Sequence, residues 1–308
     1  MCVKPQTAAE AATFNSIEEL TARLTAGETT SQVYLARGRA YKQVAYLTEA
    51  IDDLTAALET APPLAIEDQA LAYNLRGLAY RRLAQYPAGI ADTSRAVELQ
   101  PDYAPLWADR GWAHTCGGFP EQGLADFAHS LELYPYFLTY IYRGITHFVM
   151  GNYQASLADY DRVIELYPQE IAFNSYLNRA ILRLMIHGDT RGAKADLDIA
   201  IQRNPDAIRP SPRPHTYRGL VHALEGRTAE ALADLETGAH LGDDLAIPLV
   251  RGYIHHKIGE PQAMSREVRN FLDCSQEQGM TVDHSLQIVA SFMANPVSAL
   301  PSLLPLVA

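Results

Sequence analysis

Seven arginines in this chain are each followed, about 16 residues later, by an acid. The pairs are Arg37 and Asp53, Arg76 and Asp92, Arg110 and Asp126, Arg143 and Asp159, Arg179 and Asp196, Arg218 and Asp234, and Arg251 and Glu267. A guanidinium facing a carboxylate can bind an anion, hold a substrate or close an ion pair. Two antiparallel helices joined by a short turn bring residues at this spacing side by side. Charges withdrawn from water are stable only when paired. The pattern therefore predicts a ladder of structural ion pairs, and a binding role would require the guanidiniums to face solvent.

Histidine also recurs, at His114, His147, His222 and His255. One imidazole per unit separates the rings by a repeat's width, too far for shared coordination at ~2 Å. These residues are expected to pack, and no metal site is predicted. The sequence holds no glycine-rich phosphate loop, nucleophile elbow, zinc-protease helix motif or calcium loop. No catalytic residue, no cofactor and no enzymatic activity are expected.

The elements that must position the ladder show themselves by periodicity. An Arg-Gly pair occurs at Arg37-Gly38, Arg76-Gly77, Arg110-Gly111, Arg143-Gly144, Arg218-Gly219 and Arg251-Gly252, with Arg179-Ala180 in the remaining place. The small residues are spaced by 39, 34, 33, 36, 39 and 33 residues. Those intervals centre on the ~34-residue period of a helix-turn-helix repeat. A proline falls 24 residues after four of the glycines, at Pro62, Pro101, Pro135 and Pro168, and Pro205 follows Ala180 by 25. Proline at that place stops a helix.

With these residues the chain resembles the tetratricopeptide repeat family. Its pattern is met by Tyr34, Gly38, Tyr41, Ala50, Leu54, Ala57 and Pro62 in the first unit, and by Tyr73, Gly77, Tyr80, Gly89, Thr93, Ala96 and Pro101 in the second. Trp107, Gly111, His114, Gly123, Phe127, Ser130 and Pro135 form the third, and Tyr140, Gly144, His147, Ser156, Tyr160, Val163 and Pro168 the fourth. The resemblance implies an all-α, right-handed superhelical solenoid of about seven helix pairs with short capping helices. Residues 31–272 are assigned to the array. Residues 1–30 are an N-terminal extension with a capping helix from Ile17 to Leu24, and residues 273–308 hold a capping helix from Asp283 to Ala294 and an uncharged tail.

Within the family the concave side is lined by first-helix positions 2, 5, 6, 9, 12 and 13. Carried onto this chain, the resemblance implies a groove with a basic end at Arg39, Lys42, Asn74, Arg81 and Arg82. An apolar run follows at Trp112, Tyr142, Ile145, Phe148, Leu177, Ile181, Leu184, Tyr217, Leu220 and Tyr253. Exposed aromatic surface on a soluble chain points to a partner. The expected function is a non-catalytic scaffold binding another protein or peptide, an apolar segment or helix with acidic groups toward the first two repeats.

Composition narrows the partner. With 25 Lys plus Arg against 36 Asp plus Glu the net charge is −11, which disfavours nucleic acid. Three dispersed cysteines, Cys2, Cys116 and Cys274, have no zinc or disulfide spacing, and Pro5 to Ala12 is too polar for a secretory signal, so a cytoplasmic location is expected. Ser285 to Ala308 carries no charge, but Pro296, Pro301 and Pro305 interrupt it short of the ~20 apolar residues of a membrane span. The stretch from Val297 to Ala308 has too many prolines for a helix and needs apolar cover. It is expected to dock near Tyr217, Leu220 and Tyr253, or on a second copy, making a homo-oligomer through the tail the alternative function.

Overall fold

Gly38, Gly77, Gly111, Gly219 and Gly252 of the Arg-Gly pairs each sit where a helix meets its neighbour. A Cβ on Gly77 would lie 2.9 Å from Thr93 Cγ2 and 3.0 Å from the Gly89 carbonyl oxygen, and one on Gly111 would lie 2.7 Å from Phe127. The missing side chains let the helices of a pair approach to backbone contact. The computed structural model describes residues 7–168, 173–203 and 210–303. Among these residues the chain forms seventeen α-helices and no strand.

The contacts divide the chain into two units, 1–146 and 147–308. The first holds α1 (Ala8–Thr25), α2 (Ser31–Gln43), α3 (Leu47–Glu59), α4 (Ile66–Arg82), α5 (Tyr86–Leu99), α6 (Ala104–Cys116), α7 (Pro120–Leu133) and most of α8 (Phe137–Val149). Helices α2 and α3, α4 and α5, and α6 and α7 pack as pairs, and α3 also packs on α4 and α5 on α6. Leu35 and Leu75, from successive first helices, share a core with Ala50, Leu54 and Ala57 of the second helix between them.

The second unit holds α9 (Tyr153–Leu166), α10 (Phe173–His187), α11 (Thr190–Gln202), α12 (Arg213–Leu224), α13 (Thr228–Leu241), α14 (Ala246–Lys257), α15 (Pro261–Glu277), α16 (Val282–Ala294) and α17 (Pro296–Leu303). Its pairs are α10 with α11, α12 with α13, and α14 with α15.

The helix ends follow the local chemistry. Helices α3, α5, α7 and α9 stop two or three residues before Pro62, Pro101, Pro135 and Pro168. Pro205 lies outside the described residues. Repeat seven has no such proline, and α15 runs to Glu277. The turn inside a pair ends on a left-handed residue. Gly118, Gly151, Gly188, Gly226 and Gly259 take that place, while Ala45 and Ala84 hold it at φ 62° and 57°.

The ends of the chain differ from the sequence expectation. The first helix is longer than Ile17 to Leu24, because the Thr7 side chain accepts from the Glu10 amide and starts it at Ala8. At the other end α16 matches the expected cap, but the following stretch is helical. Asn295 Oδ1 accepts from the amides of Val297 and Ser298, and Pro296 sits at the first helical position, where its missing N–H costs nothing. Residues 304–308 lie outside the described residues.

Candidate functional site

Five rungs of the ladder are closed by paired hydrogen bonds. Arg37 Nε and Nη2 donate to the two oxygens of Asp53, both at 2.7 Å. Arg76 meets Asp92 at 2.7 and 2.9 Å, and Arg179 meets Asp196 at 2.9 and 2.6 Å. Arg218 meets Asp234 at 2.9 and 2.6 Å, and Arg110 makes the same bidentate contact with Asp126. The five aspartates are buried. Burial pushes the Asp234 carboxyl up, but hydrogen bonds from Arg218 and His215 prevail and hold it at about 2.

The structure adds a link that the pair spacing did not reveal. The free Nη1 of four guanidiniums reaches back to the preceding helix. Arg37 donates to Thr21 at 3.1 Å, Arg76 to Thr55 at 2.9 Å, Arg179 to Asp161 at 3.0 Å and Arg218 to Asp198 at 2.8 Å. Each of these rungs therefore ties three helices. Two of the histidines join the ladder acids: His114 Nδ1 lies 2.8 Å from Asp126, and His222 Nε2 lies 3.6 Å from Asp234.

The last rung departs from the expectation. Arg251 Nη2 donates to the Leu235 carbonyl at 3.3 Å and does not bond Glu267. Glu267 carries one more methylene than the aspartates, and its carboxylate turns to Asn270 at 3.4 Å and Arg266 at 3.7 Å on its own helix.

The expected groove residues separate into two environments. In the second unit Leu177, Ile181, Leu184, Tyr217, Leu220 and Tyr253 are all buried, at 6% exposure or less, so they form core and do not line an open groove. The physical reason is that neighbouring first helices pack on one another, α10 with α12 and α12 with α14, and that the C-terminal segment packs on two of them. Helix α17 packs on α10 and α16 on α14, with Phe292 edge-on to Tyr253 at 6.2 Å and Leu300 fully buried. Phe148 is half-buried against Tyr153, 5.2 Å between ring centres.

In the first unit the basic end is assembled on the first helices. Arg39 and Lys42 on α2 neighbour Arg81 and Arg82 on α4, and Lys42 also faces Asp109 on α6. None of these four cations has a carboxylate within 4.0 Å among the described residues. Burial lowers the Lys42 ammonium, Asp109 opposes that, and the three arginines add to it.

Asn74 is 8% exposed, and its Nδ2 donates to Asp109 Oδ2 at 2.8 Å. Burial raises the Asp109 carboxyl, against the pull of Asn74, Lys42 and Arg81. The Asn74 amide oxygen, Oδ1, and Arg81 Nε are buried without a hydrogen-bond partner. Trp112, expected to be presented to a partner, is buried: Arg81 lies 5.8 Å above it, and Tyr142 stacks on it at 5.0 Å and 6°. Tyr142 and Ile145 stay half-buried. Asp109 was missed in the sequence although it stands at a lining position, two residues after Trp107. An acid among cations at that place was the available signal.

No helix among the described residues is long and apolar enough to cross a membrane.

A family model for the tetratricopeptide repeat matches residues 31–63. A comparison with curated proteins finds none that matches in sequence. Solved structures match in fold. A tetratricopeptide repeat protein from Parabacteroides merdae is similar at 18% identity and a TM-score of 0.60, over 84% of this chain and 98% of that one. Similarity to the APC/C hetero-tetramer Cut9-Hcn1 (14% identity, TM-score 0.65) covers 90% of this chain and 52% of the other. PilF of Pseudomonas aeruginosa aligns at 14% identity and a TM-score of 0.58, over 68% and 93%. With the paired helices, the glycine and proline positions that recur along the sequence, and these likenesses, the chain is an all-α helical repeat protein of the tetratricopeptide fold.

Proposed function

We propose that this chain is a non-catalytic scaffold that binds another protein, and that the first-helix face of its first unit takes a segment bearing carboxylates. The observation that carries this reading is the set of unsatisfied groups there. Asn74 Oδ1 and Arg81 Nε are buried without partners, beside four cations free of ion pairs. A buried polar group left unpaired costs about 1–3 kcal/mol, which an incoming donor and acceptor would recover. Four cations against the single carboxylate of Asp109 make this patch basic on a chain whose net charge is −11, so an acidic segment is drawn to it specifically. Tyr142 and Ile145 supply the apolar part of the contact.

Self-association through the tail is less favoured, because α17 is already packed within its own unit and a second copy would have to displace it. A cytoplasmic location goes with this reading, as Cys116 and Cys274 are free thiols.

The test is a pull-down from the native host with the wild-type chain and a Lys42→Glu, Arg82→Glu variant, followed by calorimetry with the captured segment at two salt concentrations. The reading expects a prey lost with the variant, its bound segment acidic and its affinity falling as salt rises. A prey that binds both chains equally, or with no salt dependence, refutes it.

A further inference from the structure

Asn74 and Asp109 make one half of a two-bond pair. Asn74 Nδ2 donates to Asp109 Oδ2 at 2.8 Å, while the amide oxygen beside it, on a residue 8% exposed, is buried and receives no hydrogen bond. An ionised carboxylate is an acceptor only, so it meets the amide N–H and has nothing to give the amide oxygen. A protonated carboxyl has an O–H donor as well. An amide and an acid lying edge to edge then exchange two hydrogen bonds. The open Oδ1 is the acceptor that such a proton would use.

The charges around Asp109 decide when the proton is present. Burial raises the carboxyl from its ordinary 3.8, against the Asn74 hydrogen bond and the positive charges of Lys42 on α2 and Arg81 on α4. Arg39 and Arg82 stand beside Lys42. From α8 and the turn before it, Tyr142 and Tyr136 face Asp109, and burial pushes both phenols up, Tyr136 to about 12, so both stay neutral. Cys116, on the same helix as Asp109 and beside Arg81, is also raised and stays a thiol. Helices α5 and α7 pack on α6 as well, but their ladder acids, Asp92 and Asp126, are taken up by Arg76 and Arg110.

A partner carboxylate entering among these cations would be a second negative charge on guanidinium and ammonium groups that Asp109 already faces. Two carboxylates on shared counter-charges raise each other's affinity for protons, and Asp109 is the one with a buried acceptor beside it. We infer that an acidic segment binds this face together with one proton, which passes from solvent to the Asp109 carboxyl and is donated in a hydrogen bond to Asn74 Oδ1. The bond that forms is the Asp109 O–H. The partner's carboxylate stays ionised and accepts from Arg81 Nε, so the ligand fills one of the two open groups and the proton fills the other. The inference rests on the acidic segment proposed above and adds its regulation. Affinity is highest where Asp109 is protonated in the free chain, falls by up to about tenfold per pH unit above that point, and levels off where Asp109 is ionised in the complex too.

The experiment is calorimetry on the full chain with a capped tetraglutamate peptide at constant ionic strength, across pH ~5–8, above the ordinary aspartate range. At the pH where affinity falls most steeply the titration is repeated in a second buffer of different ionisation enthalpy, so that the heats count the protons taken up. The wild type should take up protons, at most one per peptide, and its affinity should fall severalfold per pH unit within the range. Asp109→Asn offers Asn74 an N–H in place of the O–H, so it should take up none and bind at high pH as tightly as the wild type at low pH. Asp109→Ser replaces it should that variant not fold, and it too should take up none. Lys42→Arg keeps its positive charge at every pH and should still take up the proton. Uptake that persists without Asp109 and vanishes in Lys42→Arg places the proton on the ammonium and overturns the inference. Binding by the wild type with no proton uptake overturns it while leaving the acidic-segment reading intact, whereas no binding at any pH overturns both.

Discussion

Removing one guanidinium from the ladder should destabilise the first unit far more than removing a surface charge. Arg76 is the suitable target. Its Nε and Nη2 hold Asp92 at 2.7 and 2.9 Å, its Nη1 holds Thr55 at 2.9 Å, and the side chains of Arg76 and Asp92 are 16% and 10% exposed. Arg76→Ala leaves the Asp92 carboxylate buried without its counter-charge, a change that costs about 3–5 kcal/mol in buried pairs. The remaining exposure of the rung and relaxation of Asp92 toward water place the expected loss near the lower end, about 3 kcal/mol. Replacing both partners with apolar residues, as in Arg76→Met with Asp92→Leu, should recover most of that loss, because the cost lies in the orphaned charge and not in the missing attraction. The two tryptophans, Trp107 and Trp112, both lie in the first unit. Urea unfolding followed by their fluorescence therefore reports that unit, while far-ultraviolet dichroism reports the whole chain, a separation needed where one two-state transition cannot be assumed. The reasoning fails if Arg76→Ala shifts the fluorescence transition by less than about 1 kcal/mol, or if the double variant is as unstable as the single one.

Two further predictions concern single residues. Ala84 holds a left-handed conformation at φ 57° where five other units have glycine, so Ala84→Gly should stabilise the first unit by about 0.5–1 kcal/mol, read as a higher urea midpoint in the fluorescence transition; a lower midpoint would mean that the turn is not strained. Asp234 is held at about 2, below the ordinary aspartate value of 3.8, so its contribution of about 2 kcal/mol is complete above pH ~4 and is lost as the pH falls through about 2. Stability followed by dichroism should fall across that window in the wild type and fall less steeply in Asp234→Asn. Parallel profiles would show that the Arg218 rung does not set the carboxyl's affinity for protons.

The parts of this fold that were legible in the sequence are those in which a residue and its consequence lie within one helix pair. The proline that stops a second helix, the small residue that lets two helices meet, and the aspartate about 16 residues after its arginine are all local, so their spacing carries their geometry. The reach of Nη1 back to Thr55, Asp161 or Asp198 was not legible, since those acceptors belong to the preceding repeat and differ in type and separation from one rung to the next. The groove was misread for the same reason on a longer scale. Lining positions identify which side chains point off the first helices but not what packs over them, and α10 and Tyr253 meet α17 and α16, far along the chain. Counting prolines made a helix after Asn295 look excluded, although Asn295 caps it and Pro296 occupies the one position that tolerates proline best. The open rung at Arg251 marks the limit of spacing as a guide. Its acid stands at the same separation as in four of the five closed rungs, but a glutamate replaces the aspartate, and the added methylene lets the carboxylate turn along its own helix. Spacing brings the two backbones together; the length of the side chain then decides whether the charges meet.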